Sequence, residues 1–149
     1  MLQLERSAPT PTHEAFTTTL QCFASTKRAA VSSDIKNAFG QSMKTSRQNK
    51  LAASLPPHMI EAGFDVDPRQ LLLCETEVYG LISGPSWLRQ SLVADLQTLG
   101  YQVNKYDKCI MTLPSKTNDI MNDGLVLIEV DDILEGGNER HQALMKKFY

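Results

Sequence analysis

The sequence predicts an α+β fold, in which a mainly antiparallel sheet is backed by helices. Two segments carry apolar residues at helical spacing, and short apolar runs of strand length lie between them. Two closely spaced apolar runs flank the pair Asp131–Asp132, which favours two strands joined by a tight turn. The predicted order is helix, strand, loop, strands, helix, strand, strand–turn–strand and helix.

The first helix follows an irregular lead-in at residues 1–12, which contains two prolines. Thr12 can cap this helix, and the basic residues Lys27 and Arg28 suit its C-terminal end. Its predicted apolar stripe consists of Phe16, Leu20, Phe23 and Ala24.

Strands are predicted wherever short apolar runs are bounded by turn residues. These runs are 29–35, 51–59, 70–81, 108–113 and 125–130. The second run is interrupted by Pro56 and Pro57, and the polar residues 40–50 and 60–69 are expected to form a loop and a turn.

Residues 85–100 give the clearest helical pattern. Ser86 can cap this helix, and Gly100 stands where a glycine commonly ends one. Its apolar stripe consists of Leu88, Leu92, Leu96 and Leu99. A last short helix is predicted at residues 138–149, after the break at Gly136 and Gly137.

Length and charge limit the classes of protein that fit. The 149 residues suit one domain, and 15 basic against 17 acidic residues give a net charge of −2. A domain that binds nucleic acid unaided usually carries a basic excess. The nearest equivalent is Lys44, Arg47 and Lys50, which we interpret as a solvated loop.

The cysteines and the apolar runs indicate an intracellular protein. Cys22, Cys74 and Cys109 are far apart and form no C-x-x-C pair, which argues against a zinc site and a disulfide framework. No apolar run approaches the roughly 20 residues that cross a bilayer, and the N-terminus has no signal-peptide pattern. We expect no secretion and no membrane partner.

Three aspartates mark strand ends. Asp34 closes an early apolar strand, and Asp131 and Asp132 lie at the tip of the late hairpin. If the two strands are neighbours, the carboxylates meet and repel one another unless a cation binds them. Mg²⁺ is the natural cation, because it takes hard oxygen ligands and links carboxylates to phosphates. The alternative is a plain turn, since aspartate favours turns.

Four segments, in this order, resemble a known enzyme family. They are "VSSDIKNAF", "VYGLISGPSW", "LGYQVNKYDKC" and "LVLIEVDDIL". Together they resemble the reverse transcriptase of copia-type LTR retrotransposons, over residues 15–148. The resemblance implies residues 13–149 are a partial polymerase palm domain, truncated so that fingers and thumb are largely missing.

By this resemblance, Asp34, Asp131 and Asp132 are the catalytic carboxylates of an RNA-directed DNA polymerase, a magnesium-dependent nucleotidyltransferase. They are also the metal ligands for two Mg²⁺ ions, for which Mn²⁺ can substitute. Phe39 resembles the aromatic gate that excludes a ribose 2′-hydroxyl. The turn Ser83–Gly84–Pro85 is expected beside the incoming nucleotide and the template. The implied partners are an RNA or DNA template–primer and deoxynucleoside triphosphates.

Two departures keep a second hypothesis open. Glu129 stands where the family has an aromatic residue, and Ser83 stands where it has glutamine. We therefore expect weak or no activity from this fragment, and the alternative is a non-catalytic retroelement remnant or interaction domain with a palm-like core. A metal-dependent nuclease is a third hypothesis, which would usually need a histidine or lysine near the carboxylates for proton transfer.

A full element of this type is a transposable element that also encodes integrase and RNase H segments. Such a protein resides in the cytoplasm or in a virus-like particle.

Overall fold

The computed structural model describes residues 8–45, 50–63, 67, 69–117 and 121–149. Arg47 of the predicted basic loop lies outside the described residues, as do residues 1–7 of the predicted lead-in and Pro68 of the predicted turn. Within the described ranges the chain forms five helices and seven strands, which confirms the predicted α+β class with an antiparallel sheet.

Helices and strands alternate irregularly along the chain. The helices are α1 (His13–Ser25), α2 (Ala38–Gln41), α3 (Pro57–Glu61), α4 (Gly84–Thr98) and α5 (Glu139–Phe148). The strands are β1 (Val31–Asp34), β2 (Leu51–Ser54), β3 (Leu71–Cys74), β4 (Gln102–Val103), β5 (Ile110–Leu113), β6 (Gly124–Glu129) and β7 (Asp132–Gly137). None of the helices in this part of the chain is both long and apolar enough to cross a bilayer.

The main sheet has five strands in the order β1-β7-β6-β5-β4, and every neighbouring pair is antiparallel. Strands β2 and β3 form a separate two-stranded ribbon. One face of the main sheet packs against α1 through Ala15, Ile110 and Leu127. The opposite face packs against the α4 leucines and against Met145 of α5, where most of the core lies. The sheet is therefore enclosed between helices, and its β1 end carries the predicted aspartate.

Helix α1 begins as predicted and ends two residues earlier. The Thr12 hydroxyl accepts a hydrogen bond from the Ala15 amide at 3.0 Å, which confirms the cap. After Ser25 the chain leaves the helix because Lys27 has φ +54. The Lys27 amide then donates to the Ala24 carbonyl and the Arg28 amide to the Phe23 carbonyl. This is the Schellman arrangement, in which the left-handed residue is usually glycine.

The predicted stripe of α1 is confirmed at Phe23 and is wrong at Phe16, Leu20 and Ala24. Ala15, Thr19 and Phe23 are buried, whereas Phe16 and Leu20 are 42% and 40% exposed. Small side chains let the helix lie close to the sheet, and the Thr19 hydroxyl is satisfied by the Ala15 carbonyl at 2.8 Å.

Three other sequence expectations differ from the structure. The predicted strand 51–59 ends at Ser54, and Pro57 begins α3, since proline suits the first position of a helix. The predicted strand 70–81 ends at Cys74 and continues as turns. The short strand β4 was not predicted at all.

The start of α4 also differs, although its apolar stripe is confirmed for Leu88, Leu92 and Leu96. The helix begins at Gly84, so the predicted cap Ser86 lies buried inside it. Ser83 holds the cap position but makes no side-chain cap, because its hydroxyl donates to the buried Glu77 carboxylate instead. The observed cap position therefore lies three residues before the predicted one.

A buried polar chain holds β7 against α5. The Tyr101 hydroxyl and His141 Nδ1 are 2.7 Å apart, and His141 Nε2 is hydrogen-bonded to the Glu135 carboxylate. All three side chains are buried, and burial raises the pKa of Tyr101. The imidazole fits only because residues 124 and 137 are glycine, since a Cβ atom at either position would overlap the ring.

The start of α5 is confirmed at the predicted place. The Asn138 side chain accepts from the His141 amide and donates to Asp123 Oδ1 at 2.9 Å. Arg140 Nη1 lies 2.6 Å from Asp123 Oδ2 and holds the pKa of that carboxyl below its usual range. These bonds attach the loop before β6 to the first turn of the helix.

Cys109 is a core residue. It is buried at the start of β5, and burial raises the pKa of its thiol to about 11. A thiol with that pKa is a poor nucleophile at neutral pH.

We expect Lys27→Gly to raise the free energy of unfolding by about 1 kcal/mol, because glycine adopts the left-handed conformation without steric cost. Lys27→Ala keeps the Cβ atom in the same strained position and is the matched control, which should give no such gain. Urea unfolding of the three proteins measures the difference. An equal gain from alanine would show that strain at this position is not the cause.

Gly124→Ala should lower the free energy of unfolding by about 1–3 kcal/mol, because the added methyl overlaps the His141 ring in a packed core. The same substitution made in a His141→Ala background should cost much less, since the ring is gone. Denaturant unfolding of the wild type, the two single variants and the double variant gives the double-mutant cycle. An equal penalty in both backgrounds would contradict the assigned clash.

Candidate active site

The predicted meeting of the early and late aspartates depends on one strand pairing. Strand β1 lies antiparallel to β7, and the Cα partners run from Val31 opposite Glu135 to Asp34 opposite Asp132. Opposed Cα atoms in such a pair are about 4.5–5.5 Å apart. The pairing therefore brings a residue near the start of the chain beside one near its end.

The tip of the β6–β7 hairpin carries the third aspartate. The two strands are joined by Val130 and Asp131, and the Ile35 amide donates to the Asp131 carbonyl at 3.2 Å. Val130 has φ +58, which is costly for a β-branched side chain. Such strain, of order 1–3 kcal/mol, persists only where the surroundings fix the backbone. Here the flanking β ladder fixes it and so sets the position of Asp131.

Three carboxylates form a row across three strands. Glu129 is opposite Asp132, which is opposite Asp34, so the three side chains share one face of the sheet. All three are exposed. Like charges that face each other directly across a sheet are destabilising. A cation held among them would offset that repulsion.

Asp34 and Asp131 line the same open cleft, which has a volume of about 380 Å³. Phe39, Glu77 and Tyr79 also line it. Its other lining residues are Ile35, Asn37, Ala38, Gly40, Thr76 and Val78. Asp132 is adjacent through the strand pairing and is not among the lining residues. The structure thus brings two of the predicted carboxylates and the predicted gate into one cavity.

A larger depression of about 500 Å³ also touches Asp34. It lies between α2, α4 and the end of α5, and the described residues that line it include neither Asp131 nor Phe39. The smaller cleft is therefore the better candidate site, because it unites Asp34, Asp131 and Phe39, which the sequence analysis singled out.

Phe39 is held by contacts on two sides. Its ring meets the ring of Tyr79 edge to face, with centroids 5.8 Å apart and planes at 82°. A Cβ atom at position 84 would lie 3.1 Å from Phe39 Cε1, so the aromatic ring packs closely on Gly84. Asn37 has φ +55 immediately before α2, which aspartate and asparagine tolerate better than most residues. This bend turns the chain from β1 into α2, where Phe39 lies.

The predicted turn Ser83–Gly84–Pro85 supports the cleft from outside its lining. Ser83 Oγ donates to Glu77 Oε2 at 2.9 Å, and Thr45 Oγ1 donates to Glu77 Oε1 at 3.0 Å. The Glu77 side chain is 1% exposed. Its carboxylate therefore links the segment after α2 to the turn before α4. Direct contact of the Ser83–Pro85 turn with a nucleotide stays a prediction.

A second group of bonds fixes the segment after α2 to α4. Trp87 Nε1 donates to the Met43 carbonyl at 2.9 Å, and the Met43 amide donates to Ser91 Oγ at 2.5 Å. Trp87 is thus an anchor between this segment and α4. The bonds stabilise the wall of the cleft that carries Phe39.

The sequence did not indicate Glu77 or Tyr79 as cleft residues. Both lie in the run 70–81, which was predicted to be a strand because of its apolar residues. Gly80, with φ +92, was the available signal of a turn at this point.

The carboxylates suit Mg²⁺ in number and kind. Among the described residues, no three histidine, cysteine, aspartate or glutamate side chains are arranged around a common metal position. Mg²⁺ usually binds through one or two carboxylates together with waters and the phosphates of a substrate. Asp34 and Asp131 in an open cleft fit that pattern, with Asp132 beside them.

The chain matches no protein-family model, and neither the curated proteins nor the solved structures include a match to it.

We expect Asp132→Asn to raise the free energy of unfolding by about 0.5 kcal/mol without divalent cations, because it removes the charge that faces both Glu129 and Asp34. Mg²⁺ should then stabilise the variant less than the wild type. Glu139→Gln is the contrasting control, since it removes a favourable acid from the first turn of α5 and should lower stability. Thermal unfolding with and without Mg²⁺ measures both; a loss of stability in Asp132→Asn would contradict the assigned repulsion.

Proposed function

We propose that the chain is the palm region of an RNA-directed DNA polymerase of the copia retrotransposon type, which extends a primer by two-metal nucleotidyl transfer. The observation that carries the proposal is the cleft that unites Asp34, Asp131 and Phe39. Two of these residues are nearly a hundred positions apart in the sequence, and the β1–β7 pairing brings them to one edge of the sheet.

The chemistry follows from the groups that the cleft presents. A primer 3′-hydroxyl attacks the α-phosphate of a deoxynucleoside triphosphate, a new phosphodiester bond forms, and pyrophosphate leaves. Two divalent cations, when bound, supply the electrostatic stabilisation of the attacking and leaving oxygens. Asp34 and Asp131 hold the charge that retains those cations, and Asp132 adds to the negative potential beside them.

In this proposal Phe39 selects the sugar. Its ring lines the cleft with the carboxylates, and its contacts with Gly84 and Tyr79 restrict its position. A fixed ring rejects a ribose 2′-hydroxyl by steric overlap and accepts a deoxyribose, which is specificity gained by excluding the competitor.

The second candidate is a non-catalytic remnant or interaction domain that keeps a palm-like core. Two observations favour it. Glu129 adds a carboxylate opposite Asp132, and the Ser83 side chain is buried against Glu77 where the family has a longer amide. Both candidates share the fold, and they differ in whether the site turns over a substrate.

Primer extension on an RNA template with Mg²⁺ or Mn²⁺ distinguishes the candidates. For the polymerase we expect slow extension by the wild type and a loss of about 100-fold or more in Asp131→Asn, a size typical of removing an electrostatic group from a reacting centre. Asp95→Asn, the same chemical change at an exposed position on α4, should extend as the wild type does.

The remaining outcomes are equally informative. No extension by the wild type or by either variant supports the non-catalytic candidate. Extension that Asp131→Asn leaves unchanged overturns the assignment of the site.

A further inference from the structure

Tyr79 is an exposed aromatic residue at the corner of a defined turn. Its side chain is 87% exposed. The Leu81 amide donates to the Val78 carbonyl at 3.2 Å, and Gly80 has φ +92. A turn with glycine at positive φ in its third position is of type II, and Tyr79 occupies the second position, at the outer corner. The turn therefore presents the tyrosine ring to solvent.

The backbone that carries Tyr79 is anchored on both sides. Glu77, two residues earlier, is buried and accepts the hydroxyl hydrogen bonds of Ser83 and Thr45. After the turn, the Gly84 amide donates to the Leu81 carbonyl at 3.0 Å, where α4 begins. A side chain on a restrained backbone loses little entropy when it binds a ligand.

Tyr79 also lies in the candidate active-site cleft. It lines the cleft that contains Asp34 and Asp131, and its ring is nearly perpendicular to that of Phe39. Because the Tyr79 side chain is 87% exposed, most of its ring surface is open to solvent. An aromatic face beside a phosphate-binding site is the usual platform for a nucleobase, because every base has a flat π surface that can stack on it.

We propose that Tyr79 binds substrate by stacking on a nucleobase at the mouth of the cleft, either the base of the incoming nucleotide or a template base. The inference rests on the proposed function, because it takes the cleft to be the nucleotide site. It adds a binding residue that lies outside the Ser83–Pro85 turn. Cations held by Asp34 and Asp131 would bind the phosphates on one side of the cleft, and Tyr79 would bind the base on the other.

The test compares the wild type with Tyr79→Ala and Tyr79→Phe, using the full chain, a poly(rA)–oligo(dT) template–primer and dTTP with Mg²⁺. Tyr106→Ala is the matched control, since Tyr106 is 99% exposed and is not among the residues that line the cleft. Template–primer affinity is measured by fluorescence anisotropy without dTTP, and KM and kcat for dTTP are measured by extension.

Tyr79→Ala should weaken one of the two binding constants about tenfold while kcat changes less, which is the size expected for losing one stacked base. Tyr79→Phe and Tyr106→Ala should bind as the wild type does. A change confined to KM for dTTP assigns the stack to the incoming base, and a change in template–primer affinity assigns it to a template base.

Other results overturn the inference, and they separate it from the proposed function. If the wild type extends and Tyr79→Ala is unchanged in both constants, the stacking role fails and the polymerase stands. If the wild type binds template–primer but does not extend, the polymerase fails; an unchanged affinity in Tyr79→Ala then overturns the stack as well, and a tenfold loss keeps it only as a contact with a template base. If the wild type neither binds nor extends the template–primer, both the stacking role and the polymerase function fail.

A further outcome concerns the exposed neighbours Val78 and Ile82. If Tyr79→Ala changes self-association in sedimentation velocity and leaves nucleic-acid binding unchanged, the turn is a protein contact and the stacking inference is wrong.

Discussion

The pairing of β1 with β7 is the constraint on which the site depends. Each strand alone carries its carboxylates at an end, and their register sets Asp34 opposite Asp132 and places Asp131 at the adjoining tip. The ladder also imposes a cost, because Glu129, Asp132 and Asp34 face one another with like charge. The free energy of folding lost to this repulsion must be offset by favourable interactions in the rest of the sheet.

That support comes from both faces of β7. On one face, the His141–Glu135 pair extends to Tyr101 and is enclosed where Gly124 and Gly137 leave room for the imidazole. On the other, α1 packs through small side chains, and Gly136 lies under the Phe23 ring. A buried polar chain that is fully hydrogen-bonded defines one arrangement of its elements. The strand that carries the aspartates is thereby held in a single register.

Local patterns in the sequence were sufficient for the elements whose stabilisation is local. The cap at Thr12, the leucine stripe of α4 and the start of α5 at Asn138 were all predictable, because each depends on residues within a turn or two. Predictions failed where a tertiary contact competed with a local preference. The Ser83 hydroxyl bonds to Glu77 and caps no helix amide, and Ala15 and Thr19 of α1 lie at the sheet in place of Phe16 and Leu20.

The sequence by itself determined the α+β class, the strand-end positions of the aspartates and the turn that separates β6 from β7. Only the tertiary structure decided that Asp34 and Asp131 line one cleft with Phe39, and that Glu77 and Tyr79 belong to it. The physical reason is the sequence separation over which each kind of interaction acts. Periodicity and capping act over a few residues, whereas the cleft is formed by strand pairing and buried hydrogen bonds between segments that are distant in the chain.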